Sequence, residues 1–444
     1  MRVEFVAQSD KNSGFSQANP ARLLNCYAEA LPPGSMSAYQ IRSCLGLDDF
    51  GLLPGVLIRA MSNTDNRLLA VSGGRLSQIL SSGNTQDLAA IDDDENTAIA
   101  SNNGDITVTA DSKYYVWDGA TTEQPTPGAF GFFGGHDTLG GYTFLTEKDG
   151  RRLQWSGLQD ASTLPGLNFA TAEGQDDLCI RPMAVAGNMW VLKEQSTEIW
   201  TLTGGAGADA FGWTGVLIET GLLSFRLACK IPGTLMVVGN DGRVYLAEGL
   251  DFAPISTRAV EQAIEAGKPE SCHYYEDEGH KFGVIRFADR PAWVYDFTEG
   301  LWHERGTEGR SWDVQAIAPF GNAYIAAGQG GMVWRMRRSN LDAGAPLTRK
   351  MVSRTAYMDG NLFRVARLEF HAQAGLPGTM VMRVSKDRGK TWTLQRERTI
   401  SAFGEYDRLI TFRGLGQCRS FTVELTITDA ADLTVASAAN AVLA

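Results

Sequence analysis

Short apolar runs recur along most of the chain, each closed by a Gly/Asp/Asn turn and answered by a second run with an aromatic or aliphatic stripe. The copies are Arg67–Ile79, Ile106–Gly119, Tyr142–Gly157, Trp190–Gly204, Leu235–Gly249, Lys281–Phe297 and Ala323–Met336. Each predicts a β-hairpin. Their starts lie 36 to 48 residues apart, the length of one four-stranded propeller blade. A lone hairpin is marginal in water, so such units become stable when neighbours bury each other's faces. Seven hairpins predict a β-propeller of six or seven blades over residues 56–338.

The pattern differs on either side. Residues 1–55 are broken by Pro20, Pro32, Pro33 and Pro54 and read as an arm with an irregular β segment. Within it Ser16–Ala30, containing an Asn-Pro turn, reads as an extended strand, with a short helix as the alternative. Residues 339–350 are polar and predict a linker. Residues 351–444 carry longer alternating runs: Arg364–Gln373, Thr379–Asp387, Asp407–Gly416 and Cys418–Asp429. In the last, Phe421, Val423, Leu425 and Ile427 alternate with polar residues, the period of a strand with one buried face. These predict a C-terminal β-sandwich. One helical window, Ser256–Gly267, has Ser256 as its expected cap and Val260, Ala263 and Ile264 on one face, a satellite to an all-β fold. The long inserts Ala161–Ile180 and Thr203–Gly221 predict rim loops that carry contacts.

Composition adds few constraints. The 444 residues are 43% apolar and 20% charged, with 49 glycines against 15 prolines, as expected for a turn-dense globular β protein. A net charge of −11 disfavours a DNA-binding footprint, yet an acidic wall suits a passage in which nucleic acid must not stick. The six cysteines are scattered without a CxxC pair and read as buried thiols. Met1–Gly14 has no apolar core of a signal peptide, and nowhere do 18 apolar residues follow one another. The expectation is a soluble protein made in a reducing cytoplasm, without membrane insertion.

Catalytic spacing is missing. The five histidines (His136, His273, His280, His303, His371) form no HExxH or zinc set, and neither GxSxG nor GxxxxGK[ST] occurs. No catalytic, cofactor or metal residue is therefore assigned. The acidic runs Asp92–Glu95 and Glu276–Glu278 lack the spacing of a calcium loop and are expected as solvated turns. Cys272-His273-Tyr274-Tyr275 is expected at a strand edge rather than as a nucleophile pair. The most specific local motif is Ser385, Asp387, Gly389, Thr391 and Trp392, an Asp-box of the form S-x-D-x-G-x-T-W. Its expected role is structural: Asp387 accepts amides of its own turn, Gly389 takes positive φ, and Trp392 packs beneath the hairpin. The stripe Trp117, Trp155, Trp200, Tyr245, Trp293 and Trp334 is expected to fill wedges between blades.

Several segments taken together resemble the packaged-DNA stabilisation proteins of short-tailed bacteriophages, the tail accessory or nozzle family. They are Asn19–Pro32, Asn168–Asp177, Ser196–Gly205, Val244–Ile264 and Val294–Gly306, with the Asp-box strand pair. The resemblance implies a non-enzymatic virion tail component assembled in the host cytoplasm. It implies a homo-oligomer, a hexameric ring below the portal and head-to-tail adaptor. That ring would extend the DNA conduit and help retain packaged DNA, beside a tail needle or plug and tailspikes. Genomic DNA would pass through the lumen without sequence-specific binding. Two other readings stand beside it: a carbohydrate-binding or glycan-hydrolysing propeller, suggested by the Asp-box and tryptophans, and a scaffold propeller that recruits peptides at its rim.

Overall fold

The computed structural model of the chain describes residues 1–6, 21–35, 37–373, 378–401, 408–429, 434–436 and 438–443. The Asn-Pro turn at 19–20 lies outside these residues. Each predicted hairpin is the second and third strand of a four-stranded antiparallel unit. In blade 1, Arg67–Ser72 and Arg75–Ile79 are flanked by Ile58–Thr64 and Thr85–Ala90. The same order recurs over residues 98–123, 133–171, 179–218 and 228–254, blades 2 to 5. Blade 6, residues 269–305, continues into a ten-stranded sheet. Blade 7 takes three strands from residues 314–337 and its fourth from Gly46–Leu52. Six separate four-stranded sheets and the fused seventh unit thus surround one cavity, lined by all seven first strands.

The first hairpin turn is the same device in five blades. Asp65-Asn66, Asn103-Gly104, Gly140-Gly141, Ala186-Gly187 and Glu278-Gly279 are two-residue loops with both residues at positive φ. That backbone twist matches the twist of paired strands, and Asn, Asp and Gly adopt it most cheaply. Aromatics then fill the gaps between blades. Trp117 packs with Leu69 and Val71 of blade 1. Trp155 shares a cluster with Trp200 and Phe211 of blade 4. Trp334 of blade 7 joins Phe282 and Val284 of blade 6. Fully burying such side chains contributes on the order of 2–3 kcal/mol each.

The described residues of 1–55 are not a separate arm. Arg2–Glu4, Cys26–Ala30 and Tyr39–Ser43 join a seven-stranded sheet with the C-terminal strands Phe363–Gln373, Arg408–Cys418, Thr434–Ala436 and Ala438–Leu443. The facing layer is the far half of the ten-stranded sheet, where Arg349–Val352, Ser420–Ile427, Gly378–Ser385 and Arg396–Ser401 follow one another. Phe5, Phe370, Phe412, Met380, Val423 and Leu425 fill the space between, so the β-sandwich borrows N-terminal strands. Arg22–Leu24 lies between blade 6 and Arg349–Val352 and makes the two modules one sheet.

The joint is polar. Asn25, fully buried and at φ 57, donates from Nδ2 to the carbonyls of Gly306 and Thr348, each at 2.8 Å, and accepts from Gly306 N at 3.0 Å. Residues 339–350, expected as a linker, are packed: Asp342, Leu347 and Arg349 are buried. Arg349 donates to the Leu347 carbonyl at 3.2 Å and to the Ser339 carbonyl at 3.3 Å. The sequence reads polar there because its polar groups are needed to satisfy buried backbone. The helix spans Arg258–Ala266 with Thr257 at the N-cap position and buries Val260 and Ile264. Ser256, the expected cap, instead donates to Glu261 Oε1 at 3.1 Å.

Ring closure leaves no room at the crossing of blades 7 and 1. A Cβ at Gly51 would overlap the Gly83 carbonyl, and Gly83, at φ 87, could not carry one without overlapping the Phe50 carbonyl. A Cβ at Gly131 meets nothing within 4 Å. We therefore expect Gly51→Ala to destabilise the protein by about 1–3 kcal/mol and Gly131→Ala to fall within about 0.5 kcal/mol of the parent. Denaturant melts of the two variants check this, and equal midpoints would refute the crowding at the closure.

Candidate functional site

Polar side chains gather in the central channel and at the Asp-box turn, as they also do in the buried ion pairs of Lys193 with Asp177 and Glu198. The channel cavity measures about 540 Å³, the size of a small-molecule pocket. At one mouth, residues near the starts of the first strands carry arginines. Arg59 of blade 1 pairs with Asp93 at 2.6 Å. Arg181 of blade 4 donates to the Phe225 carbonyl at 3.1 Å and lies 4.6 Å over the Phe225 ring. Its Nε is buried without a hydrogen-bond partner. Arg226, just ahead of blade 5, reaches across the channel to the carbonyls of Gln315 in blade 7 at 2.9 Å and Ile58 in blade 1 at 3.5 Å. Burial, with Arg286 and Arg59 adding repulsion, pulls the Arg226 guanidinium down to about 10. Farther along the first strands, half-exposed Lys230 pairs with Asp137 at 2.5 Å.

Channel histidines are held neutral by burial. His136 sits between Thr107 Oγ1 at 2.9 Å and Thr109 Oγ1 at 3.0 Å, and burial takes it down to about 4. His273 bonds Ser271 Oγ at 2.8 Å and falls to about 3 for the same reason. The neighbouring Cys272 thiol is pushed well above its ordinary value by burial, the opposite of an activated nucleophile. Residues Cys272–Tyr275 belong to the first strand of blade 6, Pro269–Asp277, whose inner edge faces the cavity.

The acidic runs lie exposed or half-buried, as expected of solvated turns, and several of their carboxylates also form ion pairs, with Asp277 alone among them buried. Asp92 meets Lys113 at 2.5 Å and the Tyr115 hydroxyl at 2.7 Å. Asp277 is buried against Arg338 at 2.8 Å, and Glu278 bonds Arg42. Among the described residues no group of three His, Cys, Asp or Glu could hold a metal ion. Of the aromatic stripe, Trp117, Trp155, Trp200, Tyr245 and Trp334 are buried and Trp293 half-buried, so their faces are largely committed to packing.

The Asp-box lies in the sandwich, after the strand Gly378–Ser385 and remote from the channel. Ser385 Oγ donates to Asp387 Oδ1 at 2.7 Å and accepts from Gly389 N at 2.7 Å. Thr391 donates from N to Oδ1 at 2.8 Å and from Oγ1 to Oδ2 at 2.5 Å. Gly389 takes φ 88. Half-buried Trp392 lies under the Arg383 guanidinium, 5.5 Å from its ring centroid. Both oxygens of Asp387 are thus used within the turn.

The family model for the phage stabilisation proteins, described as bacteriophage P22 Gp10, beta-propeller, matches residues 6–317. The chain belongs to this family. The match takes in all of blades 1 to 6, the closing strand Gly46–Leu52 and the start of blade 7, so this phage stabilisation propeller is recognisable through the ring itself. No curated protein sequence matches the chain. Among solved structures, the designed protein Ika8 superposes with a TM-score of 0.43 at 11% identity, covering 65% of this chain and 99% of its own. BamB from Moraxella catarrhalis gives 0.42 at 10%, covering 71% and 98%. PorZ from Porphyromonas gingivalis gives 0.41 at 13%, covering 78% and 46%.

Sequence reading located the Asp-box residues but passed over Arg59, Arg181 and Arg226. Each is a single cation beside an apolar run, and only blade register brings the three to one mouth. For Asp387, the Thr391 side chain, then the Thr391 amide and Ser385, hold the carboxyl down from 3.8 to about 2. A folded-state value below the unfolded one stabilises above pH 4 and loses that contribution as pH falls from 4 to 2. Asp387→Asn should accordingly melt below the parent at pH 6, with the gap in Tm shrinking toward pH 2. A gap independent of pH, read by calorimetry across that range, would rule out the carboxylate as its source.

Proposed function

We propose that this member of the phage stabilisation family is a non-enzymatic structural component of the virion tail. It acts as a ring of identical chains that extends the DNA conduit below the portal and adaptor and helps retain packaged DNA. The family match across residues 6–317 carries the reading. The fold supports it. Propeller and sandwich share one continuous sheet, giving a stiff body suited to bearing load in a tube. Blades 3 and 4 expose Phe132, Leu158, Leu167, Phe169 and Trp213, apolar side chains available to the head-to-tail contacts that repeat around a cyclic axis.

A 540 Å³ channel is far too small for a duplex, so the conduit is the lumen between chains rather than the propeller's own hole. With a net charge of −11, such a lumen would repel phosphates and let DNA slide. No helix among the described residues is long and apolar enough to cross a membrane. The glycan reading draws no help from the Asp-box, whose carboxylate is spent on its own turn.

Light scattering with negative-stain imaging, on the purified protein alone and mixed with the phage's own adaptor ring, tests the proposal. Rings, or monomers that close into rings on the adaptor, are expected. A monomer that ignores the adaptor would overturn it. Particles assembled without the protein should also lose DNA on mild heating, and full retention would count against the stabilising role.

A further inference from the structure

We propose that the arginine-lined mouth of the central channel is a binding site for a phosphate-class oxyanion, free or as the phosphoryl group of a small molecule. This goes beyond the tail role and does not depend on it. Three observations converge there.

The first is convergence of cations from separate blades. Arg59 is the second residue of Ile58–Thr64, Arg181 the third of Cys179–Val185, and Arg226 lies two residues ahead of Ala228–Ile231. First strands of a propeller run in one direction about its axis, so all three fall at the same mouth. Arg226 bridges that mouth through the carbonyls of Ile58 and Gln315, and Arg59 and Arg181 lie near enough to act on its charge.

The second is missing compensation. Arg59 and the adjacent Arg286 have carboxylate partners in Asp93 and Glu270, both on solvent-exposed side chains. Among the described residues Arg181 and Arg226 have no carboxylate within ion-pair distance. Asp137 acts on the Arg181 charge and Glu95 on that of Arg226 only from beyond that distance, and guanidinium groups so weakly compensated in a half-buried wall are costly unless an anion joins them. In a protein of charge −11, where carboxylates are abundant, this pairing of cation with cation stands out.

The third is unmet donor capacity. Arg181 Nε is buried with no acceptor, while only one of its terminal nitrogens bonds the Phe225 carbonyl. Ser271 and Thr97 line the same space, their hydroxyls already bonded to His273 and to the Asp94 carbonyl. Guanidinium forks match tetrahedral oxyanions in shape and charge, and the cavity volume falls in the range of small-molecule sites. An acidic peptide is the competing occupant. The two arginines, close enough that one acts on the other's charge, favour a compact dianion.

Isothermal titration of the full chain with inorganic phosphate, against sodium chloride at matched ionic strength, is the test. One saturable site per chain is expected, weakened about tenfold or more in Arg181→Gln, whose side chain makes one backbone bond. Arg310→Gln, on an exposed loop residue, should bind as the parent does. Phosphorus NMR line broadening on the parent protein gives a second reading that needs no variant. Tighter binding of a sugar phosphate or nucleoside monophosphate would assign the phosphoryl group of a small molecule, and equal binding the free ion. Absence of saturation beyond the chloride control, unchanged affinity in Arg181→Gln, or binding of an acidic peptide with none of phosphate would each overturn the site. The readings use isolated protein, so failure of ring assembly leaves them unaffected.

Discussion

Pairing of Gly46–Leu52 with Met332–Arg337 turns an open row of blades into a ring. Without it, blade 7 would end on an unpaired edge and blade 1 would lack the neighbour that covers its inner face. A second fastening lies 22 residues upstream of Gly46 at Leu24, whose strand Arg22–Leu24 joins blade 6 to the sandwich. Arg22 bonds Glu304 through two nitrogens, and Asn25 bonds the backbone of both modules at Gly306 and Thr348. One short N-terminal stretch therefore sets both the closure of the propeller and the angle at which the sandwich leaves it.

Legibility followed range. The seven hairpins were readable because their pairing partners are local and their turns carry the residues that tolerate positive φ. The outer strands were not: Thr85–Ala90 reads TQDLAA and has no buried residue, and Phe169–Thr171 is three residues long. Gly46–Leu52 carries Asp48 and Asp49 mid-strand, and only the distant Arg337 explains the first of them. In Ser420–Ile427 alternation marked the apolar face correctly, yet Thr422 and Glu424 are buried too. Thr355, Arg383 and Lys350 meet them there, partners no local pattern could reveal.

The same limit hid the channel. Nothing about Arg181 within its own run separates it from a surface cation. Its meaning comes from standing across a narrow space from Arg226 and Arg59, which blade register alone decides. The Asp-box lies at the other extreme: the side-chain hydrogen bonds of Ser385, Asp387 and Thr391 fall within their own turn, although Trp392 meets Arg383 outside it.

The ring closure also dictates an order of events in time. About 285 residues separate Leu52 from Arg337, so at roughly 5–20 residues per second of synthesis the closing strand waits on the order of 15–60 s for its partner. During that wait it is an unsatisfied edge beside half-built blades, the kind of template on which nascent chains pair wrongly. Asp48 and Asp49 place two negative charges on it, and Arg337, arriving with the last strand of the propeller, brings the positive charge that one of them meets. The residues that made this strand hard to read thus make it a poor partner for another copy of itself until the chain that completes it has been made.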